Sequence, residues 1–350
     1  MVNAVPGSLY IYAPTKGVSI AFAVLFLISG LLHIWQNIIK YRSWRIGFLF
    51  PWAAALFVVG FCMREYGAYH YGVLNIFIAS QVMLFIAPPV YNGANYFVFG
   101  RTLYYLPYLS IIHPGRVWST FITLDAVVGI LAGNGASYLS NSKNTPSQRH
   151  MGATLVRVSL ILLLGLNVAF TVLIVNFHYR VLGRANSKYG NLMTANLRVL
   201  IYTLYVSTFL IVLRNTFRTA SAFYAYTSPV NTSEPLLFCL EFLPMLINTY
   251  LFNVFPPAKY LPANHKIYLA VDGRTEIQGP GMSDRRMFLL TVLDPFDVIG
   301  MLTGRDSKNR FWEKDGIGGP KVGAEGECAP KYGWKKSTKG GQWLGKHLQA

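Results

Sequence analysis

The sequence predicts an all-α membrane protein, a seven-transmembrane helical bundle, and three observations carry that prediction. Seven long apolar stretches lie between Val18 and Phe255. The basic residues gather on alternate sides of them. The chain is also 53% hydrophobic and only 13% charged, with a mean hydropathy of +0.36, where soluble domains carry about a quarter charged residues. A helix needs roughly 20 mostly apolar residues to cross the hydrocarbon core, and only helices or closed barrels satisfy their backbone there. Barrel strands alternate polar and apolar over about 10 residues; these stretches do not.

In chain order the spans are expected at 17–39, 46–65, 72–98, 118–139, 154–178, 197–219 and 235–256. Residues 1–16 precede the bundle and residues 263–350 follow it. Met1 to Pro14 lacks a basic segment followed by an apolar one, so the first span is expected to act as its own insertion signal. One side of the spans carries Lys40, Arg42, Arg45, Arg101, Arg116, Arg180, Arg184 and Lys188, then the basic tail. The other carries Lys16, Arg64, Lys143, Arg149 and Arg218. The heavier side is expected to be cytoplasmic, which puts the N-terminus outside and the C-terminus inside. Trp44, Trp118 and Tyr179 stand at span edges, where interfacial anchors belong. The sequon Asn231-Thr232-Ser233 falls in an outside loop close to the seventh span, and reads equally as an unmodified loop.

The formal net charge of +17 invites a nucleic-acid reading, but its distribution argues against one. Nearly half the basic residues lie beyond Pro257, and the rest flank the spans. The tail is rich in Gly, Lys and Arg, so it is expected to be largely disordered and to meet anionic lipid at the inner face. Phe288 to Leu302 is too short for a span and is broken by Asp294-Pro295, so it reads as an interfacial segment. Residues 340–346 nearly spell a phosphate-binding loop, but His347 takes the Ser/Thr position and no strand precedes it. No cofactor is expected. Cys62, Cys239 and Cys328 lack metal spacing, and only His33 lies well inside a span, so no metal site is expected either. Cys62 and Cys239 read as small buried hydrophobes. No nucleophile motif is present, so the chain is not expected to be an enzyme.

Charge inside a bilayer is expensive and marks function or pairing. Span two ends in Arg64-Glu65; span six ends through Arg214 and Arg218; Glu234 and Glu241 enter span seven. Arg214 and Arg218 share a helix face, and Glu241 enters at about the depth where Arg214 leaves. These spans are expected to pair, either to hold two helices together or to form a polar site for a lipid head group. Asp125 lies inside span four, with Arg101 or Arg116 as its expected partners. Span three carries Gln81, the helix-breaking pair Pro88-Pro89, then Asn92, Gly93 and Asn95. The run Gly133-Asn134-Gly135-Ala136 in span four reads as helix packing. The candidate head-group contacts are Glu65, Gln81, Asn92, Asp125, Arg214, Arg218 and Glu241.

In this order and in these spans, the residues resemble a family. Glu65-Tyr66-Gly67-Ala68-Tyr69 is similar to its acidic-Gly-Tyr element after the second span. Gln81, Leu84 through Tyr96 and Gly100-Arg101 are similar to its third-span signature. Phe121 with Asp125 and the Gly133–Gly135 run match its fourth span. Arg214-Asn215-Thr216-Phe217-Arg218 matches its sixth, and Glu234, Glu241, Asn253 through Pro257 and Leu261-Pro262 its seventh. The family is that of the fungal lipid-translocating exporters, RTA-like proteins named for resistance to aminocholesterol, which include sphingoid long-chain-base exporters. The chain departs from it at Ala132, Ser221 and Pro256, where Gln, Glu and His are common. The resemblance implies a plasma-membrane protein that exports or flips amphipathic lipids and confers tolerance of lipophilic toxins. A seven-span receptor that regulates lipid traffic or stress responses indirectly is the rival reading.

Overall fold

A computed structural model of the chain describes residues 14–110, 112–140, 144–185, 194–225, 228–262, 264–270, 276–279 and 294. Seven helices long and apolar enough to cross a membrane run Val18–Lys40, Leu49–Tyr69, Leu74–Tyr105, Pro114–Leu139, Pro146–Gly183, Ala195–Phe223 and Glu234–Tyr260. They fall where the sequence places them. Most extend beyond the apolar windows, because a helix continues into the head-group region as long as its backbone bonds are satisfied internally. This is a multi-pass membrane protein.

Span one opens at Gly17, whose φ of 88° suits a residue without a Cβ, and closes in a π-helical turn, Trp35–Lys40. Span three is one helix of 32 residues that runs straight through Pro88-Pro89. The pair expected to break the helix leaves it continuous. Span seven is pieced together from Glu234–Leu237, a π-helical turn Phe238–Phe242 and a regular helix Leu243–Val254.

Sequential spans pack on one another, span seven closes on span one, and span three also reaches span six. Small residues set the closest approaches. A Cβ on Gly135 would lie 2.8 Å from the carbonyl oxygen of Gly152, and one on Gly60 would lie 2.8 Å from the Leu84 side chain. Gly135 thus performs the packing role expected of its run; a Cβ on Gly133 would meet nothing within 4 Å. Aromatic rings fill the interior between spans one, two, three and seven, with Phe26 stacked on Phe57 at 4.3 Å and Phe50 tilted against Phe252 at 4.4 Å.

The polarity of the bundle is inverted relative to a soluble protein. Arg64, Arg101 and Arg214 are among its largest fully buried side chains, while Ile39, Ile130, Phe209 and Val254 stand exposed on its flanks. Cys62 and Cys239 also lie exposed, which corrects the buried placement read from the sequence. A thiol facing acyl chains is as well accommodated as one in a core. Trp44 and Tyr179 are exposed at span ends, as interfacial anchors should be.

The start of the tail is ordered, an exception to its expected disorder. Strands β1 (Ile267–Leu269) and β2 (Glu276–Gln278) pair antiparallel, with Tyr268 opposite Ile277. The end of span three holds this hairpin by its backbone. Arg101 donates to the carbonyls of His265 at 2.6 Å, Asn264 at 3.2 Å and Pro262 at 3.3 Å. The Tyr104 and Tyr108 hydroxyls donate to the carbonyls of Lys266 and Ala270, and Tyr105 to the Glu276 carboxylate. The near-phosphate-loop at 340–346, the rest of the basic tail and, apart from Asp294, the segment 288–302 lie outside the described residues. So do residues 1–13 of the N-terminus. Thr15 and the hairpin mark the two opposite ends of the bundle, the N-terminal end and the tail end.

Candidate functional site

Two polar layers cross the bundle. The first is ionic and lies at the N-terminal end, where spans two, six and seven meet. Arg214 Nη2 donates to Glu241 Oε1 at 3.0 Å and Arg218 Nη1 to Glu241 Oε2 at 3.4 Å. The pairing expected between spans six and seven is therefore present, and both arginines take part because they lie one helical turn apart. Arg64 of span two donates to Glu234 Oε1 at 3.0 Å, while Glu234 Oε2 accepts from the backbone N–H and hydroxyl of Thr15 at 2.8 and 2.6 Å. Arg64 is close enough to act on Glu241 as well, so three guanidinium groups face two carboxylates. Arg64 and Arg214 are buried. Arg218 is the open member, its side chain 34% exposed and its guanidinium over the Phe85 ring at 5.7 Å.

The second layer lies halfway through the bundle and is almost free of charge. Spans one and seven meet there: Ser29 Oγ bonds Thr249 Oγ1 at 2.7 Å, and His33 Nε2 reaches the same hydroxyl at 3.3 Å. The Asn253 amide donates to Ser29 Oγ, and Gln36 Nε2 to the Asn253 carbonyl at 2.8 Å. Spans three and six meet through Asn95 Nδ2, which donates to Ser207 Oγ at 2.8 Å, while Ser207 returns a bond to Asn95 Oδ1 at 3.1 Å. Such bonds between membrane helices contribute about 0.6 kcal/mol each on average.

Asp125 of span four completes this layer, roughly 16 Å along its helix from Pro114 at 1.5 Å per residue. Tyr96 and Asn92 of span three are the polar groups that act on its carboxylate, yet both of its oxygens are buried without a donor at hydrogen-bonding geometry. Neither arginine expected to pair with it acts on it. Arg101 is turned toward the tail end, where three backbone carbonyls take its hydrogen bonds. This corrects the sequence reading, and the reason is the hairpin: a cluster of carbonyls that follows span seven by only a few residues draws Arg101 away. The Tyr91 and Tyr96 hydroxyls, Thr208 Oγ1 and both side-chain polar atoms of Asn248 are likewise buried without a protein hydrogen bond of normal geometry. Most buried polar groups in folded proteins are paired; these residues leave polar atoms open inside the bundle, as Gln36, Asn176 and Asn215 also do.

The seven candidate residues thus divide. Arg214, Arg218 and Glu241 form the ionic layer, and Asn92 joins Asp125 at mid-depth. Gln81 is half-buried on span three, four residues before Phe85 and so on the face that meets Arg218. Glu65 stands apart from both layers: its Oε1 accepts from the Gly17 N–H at 2.8 Å and ties span two to the start of span one. Sequence reasoning notes Arg64 and Glu234 without pairing them, and misses Ser29, Tyr96, Asn248, Thr249 and Ser207. The spacing of Ser29 and His33, and of Asn92, Asn95 and Tyr96, is a usable signal, since each set lies on one helix face. Among the described residues, no three of His, Cys, Asp and Glu gather as a metal site. In the loop before span seven, Asn231 Nδ2 donates to the carbonyls of Ser221 and Ala225 at 3.1 and 3.0 Å. The sequon amide therefore ties its loop to the end of span six.

Comparison with known proteins identifies the family of the chain. The family model described as RTA1 like protein matches residues 50–264. A lipid-translocating exporter-like protein RTA1 of Leptosphaeria maculans is 38% identical over 324 residues, which cover 87% of this chain and 61% of that protein. This chain thus spans less than two thirds of that relative. A protein of the same name from Ajellomyces capsulatus is 32% identical over 72% of this chain and 81% of its own length. Protein RTA1 of Saccharomyces cerevisiae is 26% identical over 70% of this chain and 84% of its own. No solved structure matches the chain.

Proposed function

The chain belongs to the RTA1-like family, and from that premise we propose that it moves amphipathic lipids across the membrane in which its bundle sits. The observation that carries this reading is the mid-depth polar layer. A lipid crosses a bilayer slowly because its head group must be desolvated in hydrocarbon. Open polar atoms of Asp125, Tyr96, Tyr91, Thr208 and Asn248 at that depth supply replacement hydrogen bonds where the barrier is highest. The exposed apolar flanks keep the acyl chain in lipid while the head group passes. The ionic layer then forms a polar station at the N-terminal end, with Arg218 and Gln81 at its open side.

The names of the relatives, lipid-translocating exporter-like proteins, support the same class of activity. In this proposal the substrates are sphingoid-base-like or amino-sterol-like, and export of lipophilic toxins gives tolerance to them. The proposed membrane is the plasma membrane, as the family resemblance implies, and the excess of basic residues at the tail end supports an N-terminal end outside. No catalytic step is part of it. The basic tail holds the inner face through anionic lipid, at about 1 kcal/mol per basic residue near the surface.

Reconstitution of the purified chain in liposomes with a fluorescent long-chain amine tests the reading. Transbilayer movement faster than in protein-free vesicles is expected. Equal rates would overturn translocation and favour a receptor that regulates lipid traffic indirectly.

A further inference from the structure

At the tail end the hairpin brings basic groups together without an acid. Arg45 Nη1 donates to His265 Nδ1 at 3.4 Å, since a guanidinium can only donate. Arg45 belongs to the helical turn Trp44–Gly47 that leads into span two. Arg101 and Lys266 also act on the imidazole, and all three cations oppose its protonation. No carboxylate is among the groups that act on it. Arg45, His265 and Lys266 take part in none of the ion pairs among the described residues. Glu276, the one carboxylate on the described part of the hairpin, accepts from the Tyr105 hydroxyl instead. Positive charge is therefore in excess where span two, span three and the hairpin meet.

The donors present match one chemistry. An imidazole that accepts at Nδ1 carries its proton at Nε2, so Arg45, Lys266 and His265 together offer many N–H donors and a single acceptor. An oxyanion between Arg45 and His265 would take a hydrogen bond from each, and a proton on Nδ1 would then assist binding rather than oppose the guanidinium. A phosphate suits a guanidinium beside an ammonium; a neutral or cationic group gains nothing there. The depth agrees. Trp44, next to Arg45, is 42% exposed, as a ring at the level of the head groups should be, and Arg45 and Lys266 are exposed as well. The loop that presents them holds Arg42 at a φ of 47°, a strained backbone position of the kind that gathers at ligand clamps. The turn carrying Arg45 packs on Pro257–Tyr260, the turn that ends span seven.

We infer that Arg45, His265 and Lys266 form a phosphate-binding site at the membrane surface of the tail end, and that a phosphate held there latches the hairpin to the bundle. The site is separate from the basic residues of the tail and does not rest on lipid movement. The purified full chain in neutral detergent is titrated with a fluorescent phosphatidic acid, with inorganic phosphate as competitor. The wild type is expected to bind the lipid, and Arg45→Gln to weaken it by roughly tenfold or more, the scale of one charge-assisted hydrogen bond. Lys266→Gln should weaken it by a smaller factor. Both side chains are exposed, so neither variant should disturb folding. Lys335→Gln with Lys336→Gln, in the tail, should leave the affinity nearly unchanged. Displacement by inorganic phosphate at comparable concentration would uphold the site with free phosphate as its occupant; resistance to it would uphold the site with a lipid head group. Two further readouts follow the latch. Bound phosphate should raise the titration midpoint of the His265 imidazole, followed by NMR, and slow hydrogen exchange at residues 264–270. Equal affinity in Arg45→Gln and the wild type, or a loss confined to the tail variant, would overturn the site. Binding that depends on Arg45 without slower exchange would overturn the latch.

Discussion

The ionic layer at the N-terminal end and the polar layer at mid-depth are built from similar residue types but answer opposite needs. At the N-terminal end, Glu234 and Glu241 each accept from a guanidinium within 3.0 Å, and Arg218 adds a third cation. At mid-depth, Asp125 has two buried oxygens and no cation. Paired charges in low dielectric hold helices in place, because neither member can be left alone. An unpaired one adds nothing to stability. The contrast sets a paired ionic cluster against an acid with no basic side chain acting on it, within one bundle.

The largest effect should come from breaking the brace. Glu241→Ala strands two guanidinium groups and is expected to destabilise the bundle by about 3–5 kcal/mol, the cost of leaving a buried charge uncompensated. Arg214→Ala should cost less, since Arg218 still answers Glu241. The double variant should recover part of the loss in a double-mutant cycle read by thermal unfolding in detergent. Strict additivity would remove the brace from the comparison. Asp125→Asn should act with the opposite sign and raise stability by on the order of 1 kcal/mol, because it removes an unpaired buried charge. A destabilisation as large as that of Glu241→Ala would show that Asp125 is braced too.

Smaller effects sharpen the picture around these two layers. Thr249→Val removes the hydroxyl shared by Ser29 and His33. It should cost between about 0.6 and 1.7 kcal/mol, the range for hydrogen bonds between membrane helices. A loss beyond that range would mean that the mid-depth layer carries the closure of span one on span seven.

The smallest effect concerns the tail end. Burial holds the His265 imidazole below its usual value, and the Arg45, Arg101 and Lys266 cations push in the same direction. A docked hairpin that lowers this value binds a proton less readily than an undocked one. Docking is therefore favoured while the imidazole is neutral, above its ordinary value of about 6.5, and weakens as pH falls below it. Hydrogen exchange at residues 264–270, corrected for intrinsic rates, should quicken between pH 8 and pH 5.5 in the wild type. It should stay level in His265→Gln. Equal pH responses in the two proteins would exclude the imidazole.

Much of the site is legible in the residue order alone. Counting residues inward from each span end places Arg214 and Glu241 at one depth, and the geometry pairs them at 3.0 Å. The same counting gives Asp125 no partner at its own depth, since Arg116 lies nine residues nearer the start of span four, about 13 Å along the helix, and Arg101 lies at the tail end of span three. What decides Arg101 is the run of carbonyls at Pro262, Asn264 and His265, which signals nothing by its residue types. Glu65 reads as a head-group contact because a carboxylate at a span end looks functional, whereas it accepts from the backbone of Gly17.

The sequence by itself determined the seven spans, their apolar centres and the ends at which charge collects, while spans three and five run on past the expected bounds to Tyr105 and back to Pro146. These are one-dimensional properties, set by the thickness of the hydrocarbon core and the cost of leaving backbone or charge unsatisfied in it. Only the tertiary structure decided which polar residues meet. Ser29 and Thr249 are 220 positions apart and are ordinary hydroxyls in apolar helices; they become a layer because span seven closes on span one. Asp125 stands without a basic side chain acting on it for the converse reason: the hairpin carbonyls draw Arg101 away, and a residue's lack of a partner is a fact about all its neighbours at once.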